Sequence, residues 1–249
     1  MSKFAVILPA AGKSTRFAEK NKRKKTFIEL KGRPVWVRAA ECFVNRNDVI
    51  QTIIVVAPDD FDWFKEKFRP NLAFMDIEIV AGGASRAESV QNGLSQVTAN
   101  ADFVAVHDAA RPLITSQWID DVFKKAEETG AAIPAIPIPG TIKQVNDKQT
   151  IEQTVPREKL WQAQTPQVFS RELLLKAFEK QDNFTATDEA QLVEQYGHAV
   201  SVVTGSPMNF KITTADDFKM AEAVLGHLPK PKGLSSLHPF ADESPGFLD

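Results

Sequence analysis

Three short segments carry residue types that could handle a polyphosphate. The first is Ala5 to Phe27, AVILPAAGKSTRFAEKNKRKKTF. An apolar run, Phe4-Ala5-Val6-Ile7-Leu8, stops at Pro9; Ala10, Ala11 and Gly12 follow, then Lys13, Ser14, Thr15 and Arg16. Small residues let the backbone approach a ligand closely, and N–H groups beyond a strand form a concave anion site. Lys13, Arg16, Lys20, Lys22, Arg23, Lys24 and Lys25 stand against one acid, Glu19, in a chain of net charge −2. In the second segment, Gly82-Gly83 can bring backbone groups against a flat base, and Ser89 faces the same way one turn into a helix. The third is His107-Asp108-Ala109-Ala110-Arg111, where Asp108 ends an apolar strand and can hold Mg²⁺ against phosphates.

Each segment has competing readings. A basic run is commonly a solvated loop. Gly12-Lys13-Ser14 copies the end of a P-loop, G-x-x-x-x-G-K-[ST], but Ile7 stands where the first glycine belongs. A pyrophosphorylase-type loop, gripping a triphosphate with Arg and Lys, is the third possibility. Asp108 could equally be a turn or N-cap aspartate, or a Walker-B residue if the P-loop were real.

The elements that must position these residues follow an α/β rhythm. Strands are expected at Phe4–Leu8, Phe27–Leu30, Ile50–Val56, Ile77–Val80, Asp102–Val106, Ala131–Ile136 and Val200–Thr204. Helices are expected after Pro34, from Asp59 and Asp60 as caps through Phe61, Phe64 and Phe68, over Ser85–Val97, through Trp118–Phe123 to Gly130, through Leu173 and Phe178, over Asp188–Tyr196 and over Thr214–Leu225. Alternation of this kind implies βαβ units in an open, mostly parallel, Rossmann-like sheet. Ligands then bind beyond the carboxyl ends of the strands, where the three segments lie. Thr141–Val145 and Ile151–Val155, around the polar turn Asn146–Thr150, read as an inserted hairpin that needs a partner surface, such as another subunit. The expected organisation is one domain over 1–228 with a β-arm at about 138–163, and a disordered Pro/Ser/Gly-rich tail over 229–249.

Composition narrows the classes. At 249 residues with 43% hydrophobic and 25% charged residues, the chain has ordinary globular proportions. Its charge is too small for a nucleic-acid face. The single cysteine, Cys42, cannot form an internal disulfide, and 4 histidines without close spacing argue against a His-built metal site. No run approaches membrane-spanning length and no signal-type leader precedes the first strand, so a cytoplasmic location and no membrane partner are expected.

Taken in order, six motifs carry a resemblance. They are Leu8-Pro9-Ala10-Ala11-Gly12; Gly82-Gly83 with Arg86, Ser89-Val90 and Gly93-Leu94; Val106-His107-Asp108-Ala109-Ala110-Arg111-Pro112; Gln164-Thr165-Pro166-Gln167; Thr187-Asp188; and Asn209 with Lys211-Ile212-Thr213. Over about residues 3 to 226 the chain closely resembles the 2-C-methyl-D-erythritol 4-phosphate cytidylyltransferases, with ribitol-5-phosphate cytidylyltransferases as close relatives. The resemblance implies transfer of CMP from CTP to a polyol phosphate, with Mg²⁺ as cofactor and pyrophosphate released. It implies a nucleotidyltransferase fold and catalytic roles for Arg16, Lys25, Arg157 and Lys211. Nucleotide contacts fall to Pro9, Ala10, Ala11, Gly12, Gly83, Ser89, Asp108 and Ala109, with Asp108 holding the metal. Acceptor contacts fall to Arg111, Thr141, Arg157, Thr187, Asp188 and Lys211. The hairpin arm implies a homodimer in which Thr141 and Arg157 reach the partner's site.

The chain departs from the family pattern in three places. Ser14 replaces a glycine, Thr26 replaces a glutamine, and Gly140 replaces an aspartate before Thr141. The basic segment is also longer, which leaves Lys22 or Lys24 as alternatives to Lys25. Three functions therefore stand: a cytidylyltransferase for methylerythritol phosphate or for another polyol or sugar phosphate, a P-loop-like NTPase, and a nucleotide-binding or scaffolding paralogue without turnover.

Overall fold

The first apolar run forms β1 (Phe4–Pro9), at the heart of an eight-stranded sheet. Phe4, Val6 and Leu8 enter one core cluster, while Ala5 and Ile7 enter the cluster on the opposite face. Burial on both faces explains why this strand is continuously apolar rather than alternating. The computed structural model describes residues 1–12, 24–181, 184 and 186–229. The basic stretch 13–23, with Arg16 and Ser14, and the tail from 230 onward lie outside the described residues.

Phe27–Leu30, expected as one strand, is a 3₁₀ turn over Lys25–Phe27 followed by the short β2 (Glu29–Leu30), which pairs with β3 (Arg33–Pro34). Pro34 then opens α1 (Val35–Val44), whose Val35, Trp36, Ala39, Ala40 and Phe43 are buried at helical spacing. After β4 (Val49–Val56), Asp59 and Asp60 lie in a 3₁₀ turn and make no side-chain cap bond to the helix that follows. The expected single helix through Phe68 is instead α2 (Phe61–Lys67) and α3 (Arg69–Phe74). Pro70 has no N–H to continue α2, but is tolerated in the first turn of a new helix.

β5 (Ile77–Ala81), α4 (Arg86–Leu94), β6 (Phe103–Val106) and α5 (Ser116–Thr129) continue the rhythm. Gly130, at φ +80°, ends α5 in a left-handed cap that a side chain would strain. β7 (Ala131–Pro137) leads to the hairpin β8 (Ile142–Val145) and β9 (Ile151–Val155), which forms a two-stranded sheet of its own. The segment expected to close the arm contains β10 (Trp161–Ala163), which pairs with β7 in the main sheet. β11 (Gln167–Ser170), α6 (Arg171–Glu179), α7 (Glu189–Gln195), β12 (Ser201–Thr204) and α8 (Ala215–Val224) complete the described elements.

The strand order is β10-β7-β11-β6-β1-β4-β5, with β12 beside β7. β1 pairs in parallel with β4 and β6, β4 with β5, and β12 with β7, whereas β11 runs antiparallel between β6 and β7. The fold is thus α/β with a mixed, mostly parallel sheet. The parallel set β5-β4-β1-β6 sends four carboxyl ends to one rim: Gly82–Arg86, Ala57–Asp59, Ala10–Gly12 and His107–Arg111.

Candidate active site

At that rim lies a cavity of about 570 Å³. Pro9, Ala10, Ala11 and Gly12 line it from β1, Gly83, Ser85, Arg86 and Ser89 from the loop and helix after β5, and Asp108 from the end of β6. Lys24, Lys25 and Thr26 close one side, and Lys211 and Thr213 another.

Asp108 is 6% exposed and is surrounded by cations. Its Oδ2 lies 3.0 Å from Lys211 Nζ and accepts from Arg111 Nε at 3.3 Å, while its Oδ1 is 3.7 Å from Arg86 Nε. Burial alone would raise its pKa, but Lys211, Arg86 and Arg111 together hold the carboxyl far below the usual carboxylate range. Arg86 in turn donates from Nη1 and Nη2 to the two oxygens of Glu189, at 2.6 and 2.9 Å. Burial works against the Arg86 charge, but Glu189 and Asp108 outweigh it and hold its pKa above the ordinary guanidinium value.

The loop after β5 is held by its own helix. Ser85 is the N-cap of α4, accepting from Glu88 N–H, and Glu88 reaches back to accept from Ala84 N–H at 2.9 Å. The Ser89 hydroxyl donates to Ser85 carbonyl at 2.8 Å and accepts from Gly83 N–H at 3.1 Å. A Cβ on Gly83 would stand 2.4 Å from Glu88 Cβ, so only glycine fits that wall of the cavity.

Behind Asp108 a buried polar network fixes the rim. The Asp108 N–H donates to Thr165 Oγ1 at 3.1 Å, and Thr165 Oγ1 lies 3.0 Å from His107 Nδ1. His107 Nε2 lies 3.0 Å from the Arg111 carbonyl. A carbonyl only accepts, so Nε2 carries the ring proton and the Thr165 hydroxyl donates to Nδ1. Burial pushes the His107 pKa down to about 4, which keeps the ring neutral. Asn209 donates to the Thr165 carbonyl at 2.9 Å, and its own carbonyl accepts from Arg111 Nη1 at 2.8 Å. Those bonds seat the segment that places Lys211 on Asp108.

Several residues expected at the site stand away from the cavity wall. Ala109 is buried with its N–H toward the Pro9 carbonyl, and Arg111 acts on Asp108 from behind. Asp188 is the N-cap of α7, accepting from Gln191 N–H at 2.9 Å and from Gln167 Nε2 at 2.8 Å. Thr187 donates to Gln191 Oε1 beside it. Thr141 precedes the arm's first strand, and Arg157, beyond its second, donates to the Pro139 carbonyl. Arg16 lies outside the described residues. Sequence reading held Lys24 as an alternative to Lys25 and placed Arg86 and Thr213 within motifs without giving either a role, and it missed Glu189. Arg86 was visible beside Gly82-Gly83, but no spacing rule links it to Glu189, 103 residues away.

The model of the family IspD, 2-C-methyl-D-erythritol 4-phosphate cytidylyltransferase, matches residues 4–227. Curated relatives named 2-C-methyl-D-erythritol 4-phosphate cytidylyltransferase include one from Rhodopirellula baltica, 41% identical over 89% of this chain and 94% of its own length. A second, from Solibacter usitatus, is 42% identical over 90% and 96%. The crystal structure of the Thermus thermophilus enzyme of that name superposes with a TM-score of 0.71 at 29% identity, covering 91% of this chain and 100% of that one. The Francisella tularensis structure gives 0.74 at 29%, over 89% and 99%.

Proposed function

We propose a division of labour for this cavity on the ground that the chain belongs to the 2-C-methyl-D-erythritol 4-phosphate cytidylyltransferase family. As a member it is a nucleotidyltransferase that joins CTP to 2-C-methyl-D-erythritol 4-phosphate, giving the CDP-polyol and pyrophosphate in isoprenoid precursor synthesis. The P-loop reading falls with that membership.

A phosphate oxygen of the acceptor attacks the α-phosphorus of CTP. One P–O bond forms, the α–β bridging bond breaks, and pyrophosphate leaves. Two anions must approach, so the chain supplies mainly positive charge and alignment. Lys25 and Arg16 are assigned to the charge that develops on the α-phosphoryl oxygens, and Lys211 to the acceptor phosphate. The loop Gly83–Ser89 is assigned to cytosine, and Ala10–Gly12 to the ribose and triphosphate. Thr187 and Asp188 are placed near the acceptor by resemblance, with Asp188 acting through the cap of α7.

The residues present suit Mg²⁺. No group of three His, Cys, Asp or Glu side chains stands together among the described residues, and Mg²⁺ in such sites is held by one or two carboxylates with phosphates and water. Asp108 offers Oδ1, which lies 3.7 Å from Arg86 Nε, whereas Oδ2 takes the closer contacts of Lys211 and Arg111. When bound, the ion would neutralise the triphosphate. A homodimer built through the β8–β9 arm, bringing Thr141 and Arg157 to a second copy's site, completes the proposal. No helix among the described residues is long and apolar enough to cross a membrane; a cytoplasmic enzyme is the reading we adopt.

The observation that carries this reading is the convergence of Lys25, Arg86 and Lys211 with Asp108 on one cavity. The test is pyrophosphate release with CTP and a panel of acceptors that includes methylerythritol phosphate and ribitol phosphate. Release that requires both CTP and methylerythritol phosphate is expected. Release with another polyol alone would favour a paralogue, the reading that Gly140 keeps open, and no release with any acceptor would defeat the assignment.

A further inference from the structure

Arg86 is the first residue of α4, and Glu189 the first of α7. An arginine at a helix N-terminus faces the positive end of the backbone dipole, where a cation is disfavoured. Local breaches of that kind are expected where function requires them. The Arg86 side chain is 30% exposed and lines the cavity, whereas its partner Glu189 is 2% exposed and does not. Both Glu189 oxygens go to this one guanidinium. The neighbouring Asp188 adds its charge to the attraction on Arg86, but its oxygens accept from Gln191 N–H and Gln167 Nε2, and the direct contacts to Arg86 come from Glu189. Asp108 does not need Arg86 for balance, since Lys211 and Arg111 lie closer to it, at 3.0 and 3.3 Å. The cluster thus sets Arg86, Arg111 and Lys211 among the carboxylates of Asp108 and Glu189, with the charge of Asp188 close enough to act on Arg86.

We propose that Glu189 is a positioning residue for nucleotide binding: it clamps two guanidinium nitrogens of Arg86 so that the remaining N–H groups stay aimed into the cavity, at the corner beside Asp108, to meet the triphosphate. Without the clamp Arg86 closes onto Asp108 and leaves the nucleotide. A purely structural role is the poorer account, because a buried ion pair costs desolvation on both sides and is weak support for stability. The inference rests on the CTP-dependent function proposed above.

The test uses the whole chain and CTP, with Mg²⁺ held constant. Calorimetry and steady-state kinetics compare the unaltered protein with Glu189→Gln, which loosens the clamp, and Arg86→Lys, which keeps the charge but loses the fork. Loss of one charge-assisted contact is expected to weaken CTP binding about tenfold or more. KM for CTP should rise while KM for the polyol phosphate stays put, a split that general loosening of the fold does not produce. CTP affinity unchanged in both variants, with only the melting temperature lowered, overturns the proposal. If Glu189→Gln does not fold, Arg86→Lys decides alone. Failure of the unaltered protein to bind CTP overturns the functional reading itself, and this inference with it.

Discussion

Two adjacent lysines reach the cavity, and their surroundings separate their roles. Lys24 forms an ion pair with Asp60, on the 3₁₀ turn after β4, and so ties the downstream end of the basic stretch to the sheet. Lys25 opens the 3₁₀ turn that ends at Phe27. The Phe27 ring is anchored 5.5 Å from Trp63, 5.2 Å from Phe64 and 6.2 Å from Phe68, which fixes the backbone on which Lys25 stands. A cation held on a rigid base can be aimed at charge that appears only in the transition state. Lys25→Ala should therefore lower kcat by about a hundredfold or more, with KM for CTP less affected. Lys24→Ala and Asp60→Asn should act mainly on KM, because they loosen the approach without removing the reacting cation. The check is pyrophosphate-release kinetics on the three variants. A larger kcat loss in Lys24→Ala than in Lys25→Ala would transfer the catalytic assignment to Lys24.

At the scale of elements, the β8–β9 hairpin is the piece that the main sheet does not explain. Among the described residues its strands pair only with each other, and Val145 and Ile151 are 53% and 58% exposed. A lone two-stranded hairpin is marginal in water, and exposed apolar side chains on it call for a covering surface. A second copy's arm is the proposed cover. Ile151→Lys should shift the protein from dimer to monomer in light scattering at micromolar concentration, and activity should fall with it if Arg157 serves the partner's cavity. An unaltered protein that runs as a monomer at those concentrations would refute the arm's role. The hairpin was legible in sequence because alternating residues flank the polar turn Asn146–Thr150. For β11 the apolar pair Val168-Phe169 was legible as the point where the α/β rhythm resumes, but its antiparallel course was not. Three of its four residues, Gln167, Val168 and Phe169, are buried between β6 and β7, so they show no alternation, and the pairing is set by strands over thirty residues away. The rim motifs were readable because each follows an apolar strand. The start of α7 at Asp188 was readable too, but the Gln167–Asp188 bond and the Arg86–Glu189 pair were not, because tertiary packing alone brings those partners together.

At the scale of the whole molecule, the rim's polar network ties its assembly to pH. His107 is fully buried, its ring 5.1 Å from that of Phe43, and both its nitrogens are matched in the neutral ring, which burial favours. In the unfolded chain the imidazole titrates near 6.5, whereas in the fold its pKa lies at about 4. Between those values the unfolded chain binds a proton that the native state refuses. Stability from this group is therefore complete above pH 6.5 and drains away as pH falls toward 4, by about 3 kcal/mol in all. Asp108, Glu189 and the other carboxylates add slopes of their own, so the useful quantity is a difference. His107→Gln removes the titrating ring and leaves those carboxylates in place. The variant should be less stable than the unaltered protein at pH 7, because the network to Thr165 and Arg111 is disturbed. The gap should then shrink steadily as the pH is lowered to about 4, in urea unfolding followed by circular dichroism at each pH. Two stability curves that stay parallel across that range would mean that His107 carries no depressed pKa, and that the rim beneath Asp108 is held together in some other way.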